Sequence, residues 1–170
     1  NLGGQIYVIC PAIEEAEKDI DEANVVSQAD IFHENLFSAA KTKAPKKTAL
    51  EHAEYLKKAL PLSVECIHGK MKSAQKDEIM QSFSDKKTRV LVSTTVIEVG
   101  VDVPDATLII IENAEQFGLS QLHQLRGRVG RGNKKSYCVL VMGDTESENA
   151  KKRLEIMAKT SSGEEIAQKD

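Results

Sequence analysis

Residues 107–111 read TLIII, an apolar run that no polar side chain interrupts after Thr107. A strand with one face in water alternates apolar and polar residues, whereas a strand covered by helices on both faces is continuously apolar. The run therefore predicts a strand that is buried on both faces. The segments on either side of it have the length and composition of further strands and helices, and their order predicts the fold class.

Strand and helix patterns alternate along the chain outward from this run. We predict further strands at residues 5–10, 63–67, 89–93 and 136–142. Helices are predicted from residue 48 to 60, from residue 73 onward, from residue 120 to about 128, and at 146–159. This alternation is typical of an α/β fold, in which a mainly parallel sheet lies between helices on both faces. Ligands in such folds gather at the carboxyl ends of the strands, so we expect the functional loops there.

Capping residues and apolar spacing predict the ends and the inward faces of these helices. Thr48 and Glu51 form a capping-box pattern, and Pro61 ends the first helix. Ser73 is the predicted N-cap of the second helix. The positions predicted to face the core are Leu50, Ala53, Leu56 and Leu60 in the first helix, Ile79, Met80 and Phe83 in the second, and Leu154 and Met157 in the last.

The composition is that of a folded globular chain. Among 170 residues, 41% are hydrophobic and 29% are charged, and 23 basic against 26 acidic residues give a net charge of −3. This balance excludes a wholly basic nucleic-acid coat protein but allows a local basic face. The longest apolar runs are far shorter than the roughly 20 residues of a membrane span. Since no leader pattern is present and the chain opens on Asn1, we expect an internal part of a longer, cytoplasmic protein.

The cysteines and histidines form no metal or disulfide pattern. Cys10, Cys66 and Cys138 are far apart in apolar stretches, which indicates buried free thiols in a reducing compartment. The four histidines show no HExxH or similar spacing. We therefore expect no metal ligands in this chain.

Residues 93–104, STTVIEVGVDVP, are the first segment with functional potential. Hydroxyl groups and backbone N–H groups at a strand end bind phosphate oxygens. Gly100 allows the backbone to approach a ligand closely, and Asp102 can accept hydrogen bonds from ribose hydroxyls. A strand end followed by a capped turn and buried valines explains the same residues equally well.

Residues 121–132, QLHQLRGRVGRG, are the second such segment. Arg126, Arg128 and Arg131 are followed by Lys134 and Lys135, with no acidic residue among them. Arg128 and Arg131 are three positions apart, so both can point into one cleft, and spaced guanidinium groups suit a polyphosphate or its transition state. The glycines do not have the GxGxxG spacing of a dinucleotide loop. A solvated basic helix end, favoured by the helix dipole, is the alternative interpretation.

Two nucleotide-binding motifs are absent from the sequence. It contains no GxxxxGK[ST] loop to hold phosphates, and no acidic DExx-type run after a strand to hold magnesium. Arginines and a ribose contact without a phosphate-binding loop indicate half of a nucleotide site.

Together these segments resemble the second RecA-like lobe of superfamily-two helicases. QLRGRVGR has every fixed position of that family's QxxGRxGR signature, namely Gln124, Gly127, Arg128, Gly130 and Arg131. Longer strings narrow the resemblance to the bacterial RecG family of branched-DNA helicases; they include HGKMK from His68, TTVIEVGVDVPDA from Thr94 and IENAEQFGLSQLHQLRGRVGRG from Ile111. The resemblance covers residues 5–22 and 48–170. The transcription-repair coupling factor, which shares the QLRGRVGR region, is the second candidate.

The resemblance implies the C-terminal motor lobe of an ATP-dependent DNA helicase. Such an enzyme acts on forked or branched DNA in replication-fork rescue, recombination and repair in the bacterial cytoplasm. ATP is the implied cofactor, and Mg²⁺ would be held by the N-terminal helicase lobe. That lobe and a junction-binding domain of the same protein are the implied partners besides DNA. The lobe by itself is expected to be inactive.

The resemblance also implies a role for each site residue. Arg131 would be the arginine finger, Arg128 its companion on the phosphates, and Gln124 would couple nucleotide state to lobe closure. Gly100 and Asp102 would face the nucleotide and its ribose.

On the opposite, DNA-tracking side, the resemblance implies contacts from Thr94, His68 and Gly69 to backbone phosphates. Such contacts bind DNA without reading its sequence.

The implied domain organisation is a RecA-like lobe over residues 1–145 and a helical extension over 146–170 that begins the translocation-coupling element. Residues 23–47 are expected to be an insertion atypical of the family. Two other classes of protein remain open. One is a non-enzymatic module that anchors on DNA or protein through the basic loop, and the other is a small-molecule enzyme using Asp102 and His68 as acid and base.

Overall fold

A computed structural model describes residues 3–11, 49–94, 103–143 and 147–160. The chain divides into one unit formed by Asn1–Ala12 with Lys47–Asp170 and a second formed by Ile13–Lys46. The second unit, which includes most of the predicted insertion at 23–47, lies outside the described residues, as does Thr48. The described residues therefore belong to the first unit.

A five-stranded parallel sheet is the centre of this unit. Its strands are β1 (Gln5–Cys10), β2 (Val64–Ile67), β3 (Val90–Thr94), β4 (Ala106–Ile111) and β5 (Tyr137–Leu140). Their order across the sheet is β2-β3-β1-β4-β5, so β1 is central and β2 and β5 lie at the edges. The predicted parallel sheet is confirmed, and each predicted strand lies within two residues of an observed one.

Four α-helices connect or follow the described strands. They are α1 (Ala49–Ala59), α2 (Ser73–Ser84), α3 (Leu119–Arg126) and α4 (Glu148–Lys159), and a 3-10 turn at Ala114–Gln116 precedes α3. Lys72, not the predicted Ser73, is the N-cap of α2, and Ser73 is the first helical residue. The backbone N–H of Lys72 donates to the Gln75 side-chain oxygen at 3.3 Å, which is one half of a capping box, and the Lys72 side chain makes no cap hydrogen bond.

Both faces of the sheet are covered because successive side chains of β1 point to opposite sides. Val8 and Cys10 pack with Ala53 of α1 in one apolar cluster. Tyr7 and Ile9 belong to a second cluster with residues of the other three helices, which are Met80, Phe83, Leu119, Leu122 and Met157. The arrangement is a three-layer α/β fold.

The inward faces of the helices follow the sequence prediction with one exception. Met80, Phe83 and Met157 are buried, and Leu154 packs against the same cluster. Leu50 was predicted to face the core, but it is 53% exposed. Ala49 is buried in its place, because the helix presents Ala49 and Ala53, four residues apart, to the sheet.

Candidate nucleotide and DNA site

The arginine segment, residues 126–131, begins in the last turn of α3. Leu119 and Leu122 are fully buried and fix this helix on the sheet. Gln124 is exposed on the outer side of the same helix. The helix ends at Gly127, after which Arg128 is half-buried and Arg131 is exposed. The structure thus brings the three predicted nucleotide-site residues Gln124, Arg128 and Arg131 into one helix end and the turn that follows.

Backbone hydrogen bonds and one glycine shape this turn. The N–H of Arg128 donates to the Leu125 carbonyl at 3.0 Å, and Nε of Arg131 donates to the Gly127 carbonyl at 3.0 Å. Gly130 has a φ of +84°, and a Cβ there would lie 2.6 Å from Oγ of Ser136. Only glycine meets both conditions without strain, so the spacing of Arg128 and Arg131 depends on it.

The arginine segment lies at the amino edge of the sheet, where the strands begin, and not at the expected carboxyl edge. It leads directly into β5, which runs parallel to β4, and Lys134 bonds Asp105, the residue just before β4. The physical reason is that α3 follows β4 and runs back along the sheet, so its last turn returns the chain to the edge where the strands start. The expectation of carboxyl-end placement was wrong for this segment.

The three predicted DNA-contacting residues lie at the carboxyl edge instead. β2 and β3 are parallel neighbours with Ile67 opposite Ser93, so His68 and Thr94 follow at adjacent strand ends. His68 is half-buried and Gly69 is exposed, and within the described residues no atom apart from its chain neighbours lies within 4 Å of a Cβ built on Gly69. One amino group is close by, since Lys76 Nζ donates to the Gly69 carbonyl at 3.3 Å. The sheet therefore separates this set from the arginine segment.

The helicase conserved C-terminal domain family matches residues 32–133, which is more than half of the chain. The chain belongs to this helicase family. Among curated proteins, the ATP-dependent DNA helicases RecG of Synechocystis and Streptococcus pneumoniae are 46% and 45% identical to it across 99% of the chain. RecG of Pasteurella multocida is 55% identical over 69% of the chain. The chain spans about a fifth of the length of these relatives, 17% to 22%.

Solved structures agree with this family placement. The structure of RecG bound to a three-way DNA junction matches with a TM-score of 0.69 and 38% identity, covering 98% of this chain and 18% of that one. The C-terminal domain of the DEAD-box protein Dbp5 matches with a TM-score of 0.56 at 17% identity, covering 92% of this chain and 69% of that one, and shows the fold alone. The RecA-like fold and the resemblance of this helicase domain to RecG are confirmed.

Two predicted nucleotide contacts of the helicase domain, Gly100 and Asp102, lie outside the described residues. Their roles stay predictions. Within the described ranges no helix is long and apolar enough to cross a membrane. The same ranges hold no cluster of three metal-ligating side chains.

The cysteines of the helicase domain are free thiols, as predicted. Cys10 is buried, whereas Cys66 and Cys138 are only partly so. Burial is the main cause that raises the pKa of Cys10 to about 12 and that of Cys66 to about 11, and it also raises the pKa of Cys138. All three are therefore protonated at neutral pH, which argues against a nucleophilic role.

Sequence reasoning missed an ion cluster beside the arginine segment. Asp105 accepts from Nζ of Lys134 at 2.7 Å and pairs with Nζ of Lys86 at 2.5 Å. These two hydrogen bonds, Lys134 first, lower the pKa of Asp105 from 3.8 to about 2. The residues come from three separate parts of the chain, so no local spacing pattern pointed to them.

Proposed function

We propose that this chain is the C-terminal motor lobe of a RecG-type, ATP-dependent helicase that acts on forked or branched DNA. The observation that carries the proposal is the placement of Gln124, Arg128 and Arg131 in one exposed helix end and turn. A folded basic turn without a phosphate-binding loop of its own suits a site that is completed by a second lobe. The relatives named ATP-dependent DNA helicase support DNA as the substrate, and the 38% identical RecG structure, which is bound to a three-way DNA junction, supports branched DNA.

In this proposal Arg131 is the arginine finger and Arg128 its companion on the phosphates. Guanidinium groups present several donors in a rigid fork and stay charged at any physiological pH, which matches the developing charge on a transferred phosphoryl group. An arginine finger contributes about 10³–10⁵-fold to turnover in related enzymes. Gln124 is exposed one helical turn before Arg128, and it is proposed to couple the nucleotide state to lobe closure.

ATP bound between two lobes would supply the phosphoryl group, with Mg²⁺ held by the lobe that carries the phosphate-binding loop. The residues of this chain fit half of such a site, because the arginine segment supplies cations and the sequence supplies no P-loop lysine. Gly100 and Asp102 are proposed to face the nucleotide and its ribose. The chain by itself is therefore proposed to be inactive in ATP hydrolysis.

The carboxyl edge is proposed to track the DNA backbone through Thr94, His68 and Gly69. No described residue beyond its chain neighbours crowds Gly69, which supports a close approach of a phosphate to the backbone there. Since the two edges are separate, closure of the lobes on ATP at one edge can move DNA that is held at the other. The proposal places the protein in the bacterial cytoplasm, in replication-fork rescue, recombination and repair.

The test is ATP turnover, with and without forked DNA, by the 170-residue chain and by the full-length protein. We expect no turnover by the chain alone and DNA-stimulated turnover by the full-length protein. Arg131→Ala in the full-length protein should lower kcat by at least about 10³-fold. Lys58→Ala, which removes an exposed cation from α1, is the matched control and should leave kcat unchanged.

Three outcomes would contradict the proposal or a part of it. Turnover by the chain alone, above an Arg131→Ala control, would mean that it holds a complete phosphate site. Equal losses of DNA affinity in Arg128→Ala and Arg131→Ala, with full turnover retained, would indicate a DNA-anchoring module instead. Stimulation by stalled RNA polymerase but not by forked DNA would favour the transcription-repair coupling factor.

A further inference from the structure

We propose that Asp105 is a positioning residue that holds the arginine segment in place through Lys134. This inference rests on the proposed function, because it assigns Asp105 a role in aligning Arg131. It concerns residues outside the helicase signature, and each of its contacts lies within the described residues.

The backbone of Asp105 is a fixed point of the sheet. Its carbonyl accepts a hydrogen bond of 2.9 Å from the N–H of Gln5, the first residue of the central strand. Gln5 is itself fully buried, and its side-chain amide donates to the Thr88 carbonyl at 2.9 Å. Asp105 is followed at once by Ala106, the buried first residue of β4. The backbone that carries this carboxylate is therefore fixed to the sheet.

The chain just after Arg131 is in direct contact with this fixed point. A Cβ built on Gly132 would lie 2.6 Å from the carbonyl oxygen of Pro104, so the two backbones touch. Two residues further on, Lys134 Nζ bonds Asp105 Oδ1 at 2.7 Å. On the other side, Nε of Arg131 bonds the Gly127 carbonyl. Arg131 is therefore held between the end of α3 and the loop that ends at Asp105.

Stability alone gives a weak reason for this cluster. Lys86 and Lys134 are 58% and 51% exposed, and ion pairs between exposed groups contribute little to folding. Lys86 nevertheless has a φ of +63°, a conformation that favours glycine, at the position after the C-cap of α2. The lysine there provides the second cation, which occupies Oδ2 of Asp105 while Lys134 occupies Oδ1. With both oxygens bound, the carboxylate has a single orientation toward Lys134.

The test is a double-mutant cycle on ATP turnover by the full-length protein, with forked DNA present. Asp105→Asn and Lys134→Gln should each lower kcat by about ten-fold, because a small displacement of a catalytic group is costly, and should change KM for ATP by less than about two-fold. The double variant should lose no more than either single variant, since both remove the same contact. Lys134→Arg, which keeps a donor of the same charge, should restore most of the loss.

The controls separate this inference from the proposed function and from a loss of folding. Glu54→Gln breaks an exposed ion pair with Lys57 on α1 and should leave kcat unchanged. Unaltered kcat in Lys134→Gln, together with a large loss in Arg131→Ala, would overturn the inference and leave the proposed function standing. Full turnover by Arg131→Ala would overturn both. If Lys134→Gln lowers not only kcat but also Tm and DNA affinity, the role of Lys134 is merely structural and the inference is overturned.

Discussion

The guanidinium of Arg126 caps the carbonyl end of α4. Its Nη1 donates to the carbonyl oxygens of Thr160 at 2.6 Å and of Met157 at 3.2 Å, while Nη2 lies 3.2 Å from Nδ1 of His123. The last carbonyls of a helix have no partner within the helix, and a cation near them also interacts favourably with the helix dipole. One side chain of the arginine segment therefore joins it to the last described helix.

Replacing Arg126 should loosen α4. We expect Arg126→Ala to lower the free energy of unfolding by about 2 kcal/mol, because two hydrogen bonds from a charged donor are lost. Arg126→Lys should retain only part of this stability, since an ammonium group cannot span both carbonyls and the imidazole in one plane. Urea denaturation of the two variants and of the unaltered chain measures these free energies of unfolding. Lys159→Ala, which removes an exposed pair with Glu155 at the same helix end, is the control and should have little effect.

The core on the side of α2 depends on Phe83. This ring is fully buried, and its centroid lies 4.9 Å from that of Tyr7 on the central strand. Phe83→Ala should destabilise the chain by about 3–5 kcal/mol through lost burial and the cavity left behind. Leu50→Ala should cost less than about 0.5 kcal/mol, because Leu50 is exposed. Thermal unfolding followed by circular dichroism ranks the two, and equal losses would contradict the placement of α1.

Lys86 has a backbone conformation that glycine adopts more easily. The N–H groups of Lys86 and Lys87 donate to the carbonyls of Phe83 and Ser82, both at 3.0 Å, which is the hydrogen-bond pattern of a helix end closed by a left-handed residue. Lys86→Gly should be more stable than Lys86→Ala by about 1 kcal/mol, because both variants lose the pair with Asp105 and only glycine removes the strain. Chemical denaturation of the two variants measures this difference in stability. Equal stabilities would argue against the left-handed conformation of residue 86.

The carboxyl of Asp105 should titrate at an unusually low pH. Its pKa in the folded chain is about 2, against an ordinary 3.8. Because the folded value is the lower one, the cluster contributes stability above pH 3.8, and this contribution is lost as the pH falls through 2. Carboxyl NMR measures the midpoint directly. Lys134→Gln should move it upward, Glu54→Gln should not, and a midpoint near 3.8 in the unaltered chain would show that the ion cluster does not form in solution.

The order of strands and helices along the chain can be predicted from the sequence, because the local periodicity of apolar residues follows which face each element buries. The continuous apolar run at 107–111 predicts β4, and apolar spacing predicts that Met80, Phe83 and Met157 face the core, where all three are buried. The helicase signature that contains Arg128 and Arg131 can likewise be identified from the sequence, since its fixed positions are close together along the chain. At Ala49 and Leu50 the more hydrophobic side chain was predicted to face the core, but the smaller Ala49 is the buried one.

The edge of the sheet on which each motif lies, and the contacts that hold it there, depend on the three-dimensional fold. α3 carries the arginine segment back to the amino edge, whereas His68 and Thr94 stay at the carboxyl edge. The cluster of Lys86, Asp105 and Lys134 exists only because three distant segments meet. Helix periodicity and signature motifs are properties of neighbours in sequence, but a long-range ion pair depends on chain crossings that no local pattern encodes.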